Sequence, residues 1–187
     1  MTARRGTRPP APGVTQSTDT EEMIRVDHAG EYGARRIYQG QIAVLEAFSP
    51  DTNVLASVRR MADQEQRHLE RFDRMVNERG VRPTALSPLW DVAGFALGAA
   101  TALLGPRAAM ACTAAVEEVI DQHYARQLAR LDDDPELKSA VAKFRDDEIA
   151  HRDEALAHGA EQAPAYRLLS EGIKAGCRLA IRLSEKV

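Results

Sequence analysis

Apolar side chains return along most of this chain at alternating steps of three and four, the spacing of a helix that buries one face. Between Thr20 and Phe48, Ile24, Glu31, Tyr38 and Leu45 recur every seven residues with Ile42 between them, and Ser49-Pro50 closes the segment. Thr18 followed by Glu21 forms a candidate capping box at its start. A second helix is expected over Thr52 to Arg79, where Val54, Val58, Met61, Glu65, His68, Phe72 and Met75 form one stripe and Gly80 supplies the stop. Pro106 opens a further helix carrying Met110, Glu117, Tyr124 and Leu131 at sevens, with Ala114 and Leu128 between. Asp132 to Pro135 turn and cap the next, whose stripe is Leu137, Val141, Phe144, Glu148, His151, Ala155 and His158. A last helix, about Ala165 to Glu185, has Leu169, Ile173, Gly176, Ala180 and Leu183 on one side and is expected to pack outside the others.

Residues 89 to 104, LWDVAGFALGAATALL, break this pattern because they are apolar all round. Sixteen residues with Asp91 among them fall short of the roughly 20 apolar residues that span a bilayer, so the segment is expected to be an interfacial or a core helix. In the first case Trp90, Phe95 and Leu97 would face lipid. Its glycines and alanines either admit an apolar chain or allow close helix packing.

The helical stripes contain charges that an apolar face should exclude. Glu65 and His68 sit in the middle of one, Glu148 and His151 in the middle of another, and an unpaired carboxylate is costly to bury. An offset of 83 superposes the first ExxH on the second together with its apolar neighbours, and an offset of 86 carries Glu31 to Glu117. Two αα-hairpins are therefore expected, each supplying Glu and then Glu-x-x-His to the centre of an all-α four-helix bundle. Positions i and i+3 share a helix face, so each pair can present a carboxylate and an imidazole to one point. Four carboxylates and two imidazoles match the ligand set of di-iron and di-manganese carboxylate bundles, and two divalent ions would balance the charge. A single ExxH carries little weight; two in equivalent repeats carry a great deal. Tyr124, two turns after Glu117, is either a core tyrosine or a group that supports the ligands or faces the substrate. Asp147, four positions before His151, is either solvated or orients an imidazole. His28, His123 and His158 have no partner at ligand spacing and are expected to be surface or edge residues.

Composition narrows the function further. A net charge of −3 provides no basic field for a phosphate backbone, which argues against nucleic acid as a partner. Cys112 and Cys177 lie 65 positions apart in no CxxC motif and read as small core hydrophobes in a reducing compartment. Residues 1–18 hold three arginines, three prolines and no acidic residue, and are expected to form a disordered tail ahead of a single domain over 19–187. The tail reads as bacterial and cytoplasmic, with an Arg-rich mitochondrial presequence as the competing reading.

Several stretches resemble the demethoxyubiquinone hydroxylase (Coq7/Cat5) family of ferritin-like di-iron carboxylate proteins. They are IRVDHAGEYGARRIYQGQ, DQEQRHLERF, RPTALSPLWDVAGFALGAATALLG, AMACTAAVEE, KFRDDEIAHRD and APAYRLLSEGIKAGCRLAIRLSEK, which together cover nearly the whole chain from Ile24. The resemblance implies a ferritin-like bundle with additional apolar and C-terminal helices, and a site of two iron ions held by Glu31, Glu65, His68, Glu117, Glu148 and His151. Glu65 and Glu148 would bridge the irons, Glu31 with His68 would complete one and Glu117 with His151 the other. The implied activity is O₂-dependent hydroxylation of the demethoxyubiquinone ring in ubiquinone biosynthesis, with electrons from an external reductant such as NADH. The implied partners are a lipophilic polyprenyl benzoquinone, a membrane surface and an assembly for ubiquinone synthesis. The expected location is the cytoplasmic face of a bacterial cell membrane, with the matrix side of the mitochondrial inner membrane as the alternative. Rival readings are a ferritin-like iron-binding or ferroxidase protein without quinone chemistry, and a di-iron oxygenase for another substrate.

Overall fold

The computed structural model describes residues 18–49 and 51–187, so the tail, the Thr18 cap and Pro50 lie outside the described side chains. Six helices follow in order: α1 (Thr18–Phe48), α2 (Thr52–Arg79), α3 (Ser87–Leu103), α4 (Pro106–Leu128), α5 (Pro135–Ala157) and α6 (Tyr166–Ser184), with a 3-10 turn, Ala160–Gln162, before the last. No strand occurs among the described residues. Local chemistry sets the boundaries. Asp51 caps α2 by accepting from the Val54 amide at 3.1 Å, and Asp134 caps α5 by accepting from Leu137 at 3.0 Å. Gly80 ends α2 at φ 67°, a left-handed conformation that a glycine adopts without strain.

The chain folds as two hairpins, α1 against α2 and α4 against α5. Each bundle helix carries the same vertical order of side chains. At one end Leu45, Val58, Met61, Met110, Ala114 and Ala155 form an apolar cluster, and at the other Ile24, Phe72, Met75, Leu137, Val141 and Phe144 form a second. The six Glu and His residues singled out by their spacing fall between the two clusters on all four helices. Truncating a fully buried member such as Phe72 or Met75 would cost about 2–5 kcal/mol, so these layers hold the ligand-bearing turns in register.

Helix α3 lies along α1, and its small residues serve close packing. A Cβ added at Gly98 would overlap the Ile37 carbonyl, and one at Gly40 would overlap the Phe95 carbonyl. Asp91, the charge inside the apolar run, accepts from Tyr32 at 2.6 Å and pairs with Arg36 at 2.9 Å. Trp90, Phe95 and Leu97, the residues expected to meet lipid, are half-buried instead. Trp90 donates to Ser184 of α6 at 3.0 Å, Phe95 lies beneath the Arg36 guanidinium, and Leu97 packs toward Ile37 and Cys112. The outward face of this region carries Leu89, Val92, Leu103 and Leu104, each more than half exposed. Helix α6 packs on α4 outside the bundle, as its one-sided pattern requires, and leaves Leu168 and Leu179 exposed. Among the described residues no helix is long and apolar enough to cross a membrane.

Candidate metal centre

Glu31 comes from the middle of α1, Glu65 and His68 from α2, Glu117 from α4, and Glu148 and His151 from α5, and none is more than 3% exposed. They converge as two overlapping groups, Glu31, Glu65, His68 and Glu148 in one and Glu65, Glu117, Glu148 and His151 in the other. Within each group one ligand atom per residue lies within 4.8 Å of the others. Glu65 and Glu148 belong to both. The Nδ1 atom of His68 is 3.4 Å from Glu31 and 3.2 Å from Glu148, while Nδ1 of His151 is 3.2 Å from Glu65 and 3.2 Å from Glu148.

The centre carries more acceptors than the protein satisfies. Both oxygens of Glu65, one oxygen each of Glu31, Glu117 and Glu148, and Nδ1 of His68 are buried without a hydrogen-bond partner. A buried unpaired carboxylate costs several kcal/mol, so clustered orphan oxygens beside imidazole nitrogens fit a site completed by cations. A set of oxygen and imidazole nitrogen donors, with no cysteine, suits divalent iron or manganese.

Electrostatics record the same strain. Burial, reinforced by Glu148, holds the Glu65 carboxyl well above the usual carboxylate range, and burial does the same for Glu117. Glu148 is raised less, because His68 opposes the desolvation. For Glu31 burial again pushes upward, but the His68 imidazole outweighs it and leaves the group lowered. The imidazoles split: burial disfavours the charged form of both, yet Glu148 and Glu31 drive His68 up to about 11, whereas His151 stays lowered.

Four of the six candidate ligands, Glu31, His68, Glu117 and His151, are held from the opposite hairpin. Tyr124 donates to Glu31, so the tyrosine is both buried and a support for a carboxylate. Asp147 orients an imidazole, but that of His68 across the bundle, accepting from Nε2 at 3.0 Å. Two equivalents escaped the sequence reading: Tyr38 donates to Glu117 at 2.6 Å, and Gln64 accepts from Nε2 of His151 at 3.1 Å. The signal was present, since an offset of 86 carries Tyr38 to Tyr124 and one of 83 carries Gln64 to Asp147.

The remaining candidates are rearranged. His123 is no isolated edge residue: with Gln127 it bonds Asp27, which is itself buried and raised by that burial against the opposing pull of His123. His28 pairs with Asp73 at 2.9 Å, and His158 meets Ser57 at 2.9 Å. Asp27 carried no marker, because one aspartate inside a helix is common. Cys112 is buried and Cys177 half-buried, and burial pushes their thiols up to about 12 and about 11, as for unreactive core groups. Between α1, α3, α4 and α6 lies a cavity of about 880 Å³, walled by Gly33 and Ile37, Gly94, Val116 and Ile120, and Ile173.

Comparison with known proteins adds an independent line. A 3-demethoxyubiquinol 3-hydroxylase of Rhodospirillum rubrum is 56% identical over 168 residues, covering 89% of this chain and 78% of that protein. The mitochondrial NADPH-dependent 3-demethoxyubiquinone 3-hydroxylase of Homo sapiens is 54% identical over 172 residues, with 89% and 77% covered. The mitochondrial 5-demethoxyubiquinone hydroxylase of Saccharomyces cerevisiae is 40% identical over 188 residues, with 92% and 80% covered. The family model described as ubiquinone biosynthesis protein COQ7 matches residues 18–184, a span that contains all six candidate ligands and every helix they sit on, and the chain belongs to that family.

Proposed function

We propose that this protein hydroxylates the ring of demethoxyubiquinone in ubiquinone biosynthesis, using two iron ions held between its hairpins. The observation that carries the reading is the sharing of Glu65 and Glu148 by two ligand groups whose remaining members, Glu31 with His68 and Glu117 with His151, are related by the internal repeat. Glu65 and Glu148 would be shared by the two ions, and Glu31, His68, Glu117 and His151 would each serve one position. When bound, such ions would supply reductive activation of O₂, for a net reaction that places one oxygen atom in a ring C–H bond and releases the other as water at the expense of two electrons and two protons. The protein's own part is to hold six ligands in place, keep bulk water out with the apolar layers on either side, and orient the imidazoles through Asp147 and Gln64. Tyr38 and Tyr124 fix the terminal carboxylates.

The outer layer supports a reading of substrate and location. An apolar cavity of about 880 Å³ suits a prenylated ring, and it lies beside the exposed leucines of α3 and α6. An exposed apolar face beside an apolar cavity favours a lipophilic substrate over iron storage. We therefore place the protein peripherally on a membrane, the cytoplasmic face in a bacterium or the matrix face in a mitochondrion. The reductant is external. NADH is one candidate, and the human relative's name specifies NADPH for that protein.

The test is a quinone profile. A strain lacking this protein should accumulate demethoxyubiquinone, and the wild-type chain should restore ubiquinone while Glu148→Ala should not. Normal ubiquinone in the deletion strain would refute the assignment.

A further inference from the structure

We infer that the two metal positions are chemically unequal and that the residue pair Asp147 and Gln64 sets the difference, making the position of Glu31 and His68 the tighter one. This rests on the dinuclear reading above. The two positions are otherwise closely matched. They share Glu65 and Glu148, and each adds one terminal glutamate that accepts a phenol hydrogen from the opposite hairpin, Glu31 from Tyr124 and Glu117 from Tyr38. Each adds one histidine that turns Nδ1 inward and donates from Nε2 to the residue just before the opposite hairpin's ExxH glutamate.

At that last link the repeat breaks. His68 donates to the Asp147 carboxylate at 3.0 Å, and His151 donates to the Gln64 amide oxygen at 3.1 Å. An imidazole N–H that donates to a carboxylate makes a charge-assisted bond, and the electron density withdrawn from that hydrogen raises the basicity of the far nitrogen. A neutral amide oxygen does this more weakly. Asp147 sits at the edge of the site with its side chain 29% exposed, so its carboxylate keeps contact with water. His68 is held more firmly as well, because its ring stacks on Phe144 at 4.0 Å, whereas His151 meets only the edge of Tyr38 at 6.3 Å. Asp147 and Gln64 are thus positioning residues that act through the two imidazoles.

Titration of the metal-free full-length protein with Co²⁺, followed by calorimetry and visible absorption, tests this. The wild type should take up two ions in two resolved steps. Asp147→Asn should weaken the tighter step by about 10- to 100-fold and leave the other within a few-fold. Gln64→Glu should tighten the weaker step by about tenfold, a gain that misfolding cannot produce. Two ions taken up at one common affinity, an equal loss in both steps for Asp147→Asn, or an unchanged weaker step in Gln64→Glu would each overturn the proposal. Uptake of fewer than two ions by the wild type would remove the dinuclear reading, and the proposal with it.

Discussion

Tyr124 on α4 donates its phenol hydrogen to Glu31 on α1, and the same bond runs the other way between Tyr38 on α1 and Glu117 on α4. The two hairpins are therefore tied through the very carboxylates that face the centre. Each tyrosine satisfies one oxygen of its glutamate and leaves the other oxygen free, and those free oxygens are among the buried orphans. The tyrosines thus hold Glu31 and Glu117, the proposed terminal ligands, in place in the metal-free protein.

Tyr124→Phe should accordingly weaken Co²⁺ uptake by about 10- to 100-fold at the position of Glu31. It should also cost the metal-free fold about 1–3 kcal/mol, because a buried acceptor loses its donor. Tyr38→Phe should do the same at the position of Glu117. Metal titration and thermal unfolding of both variants check this. Unchanged affinity in both would reduce the tyrosines to packing.

How much of this was legible beforehand depended on periodicity. Glu31, Glu65, His68, Glu117, Glu148 and His151 stood out because each interrupts an apolar stripe and each has a counterpart at a fixed offset. Tyr38 did not, because tyrosine in a stripe is ordinary core chemistry, although the offset that relates Glu31 to Glu117 also marks it. Gln64 lies off the stripe, where a polar residue raises no question, and only the folded bundle turns it toward a histidine 87 positions away. The apolar run from 89 to 104 was legible as short and helical. Which of its faces would be covered was not, since a segment that is apolar all round has no periodicity to orient it.

Glu65 should show the cost of keeping the centre ready. Its carboxyl is held well above the ordinary range by burial and by Glu148, so in the metal-free protein ionisation opposes folding. That penalty is absent at acidic pH, where the unfolded chain is protonated too, and it grows as pH rises past the ordinary glutamate value. Metal-free Glu65→Gln should therefore be more stable than wild type at pH 7 by about 1–3 kcal/mol and nearly equal to it at pH 4. It should also lose two-ion uptake. Unfolding curves at both pH values decide the sign, and a destabilised variant at pH 7 would contradict the argument.

Asp134 provides the opposite case, away from the candidate metal centre. Burial pushes its carboxyl upward, but Arg79 and the Leu137 amide outweigh it and leave the group lowered. A lowered carboxyl contributes stability above its ordinary value near 3.8 and loses it as pH falls through its folded value. Asp134→Asn keeps a capping oxygen and loses the Arg79 ion pair, so it should cost about 1 kcal/mol at pH 6. The difference from wild type should begin to shrink as pH falls below 3.8 and be lost only once the folded carboxyl is protonated. A constant difference across that range would assign the effect to the cap alone.

The membrane reading is testable because the structure separates the two faces of α3. Leu89, Val92, Leu103 and Leu104 contact little of the protein, whereas Trp90, Phe95 and Leu97 hold α3 against α1 and α6. Replacing the first four with glutamine removes apolar area that only lipid would cover. It should weaken binding to phospholipid vesicles by about tenfold or more, with metal content unchanged and thermal stability near wild type. Glutamine at Phe95 and Leu97 should instead lower stability by several kcal/mol, since it places amides against packed backbone and leaves voids. Glu148→Ala serves as the control that loses metal without touching this face. In cells the wild type should leave the membrane fraction in alkaline carbonate, as a protein lying on the interface does. Retention in the pellet, or full vesicle binding by the four-fold glutamine variant, would show that α3 is not the surface through which this protein meets lipid.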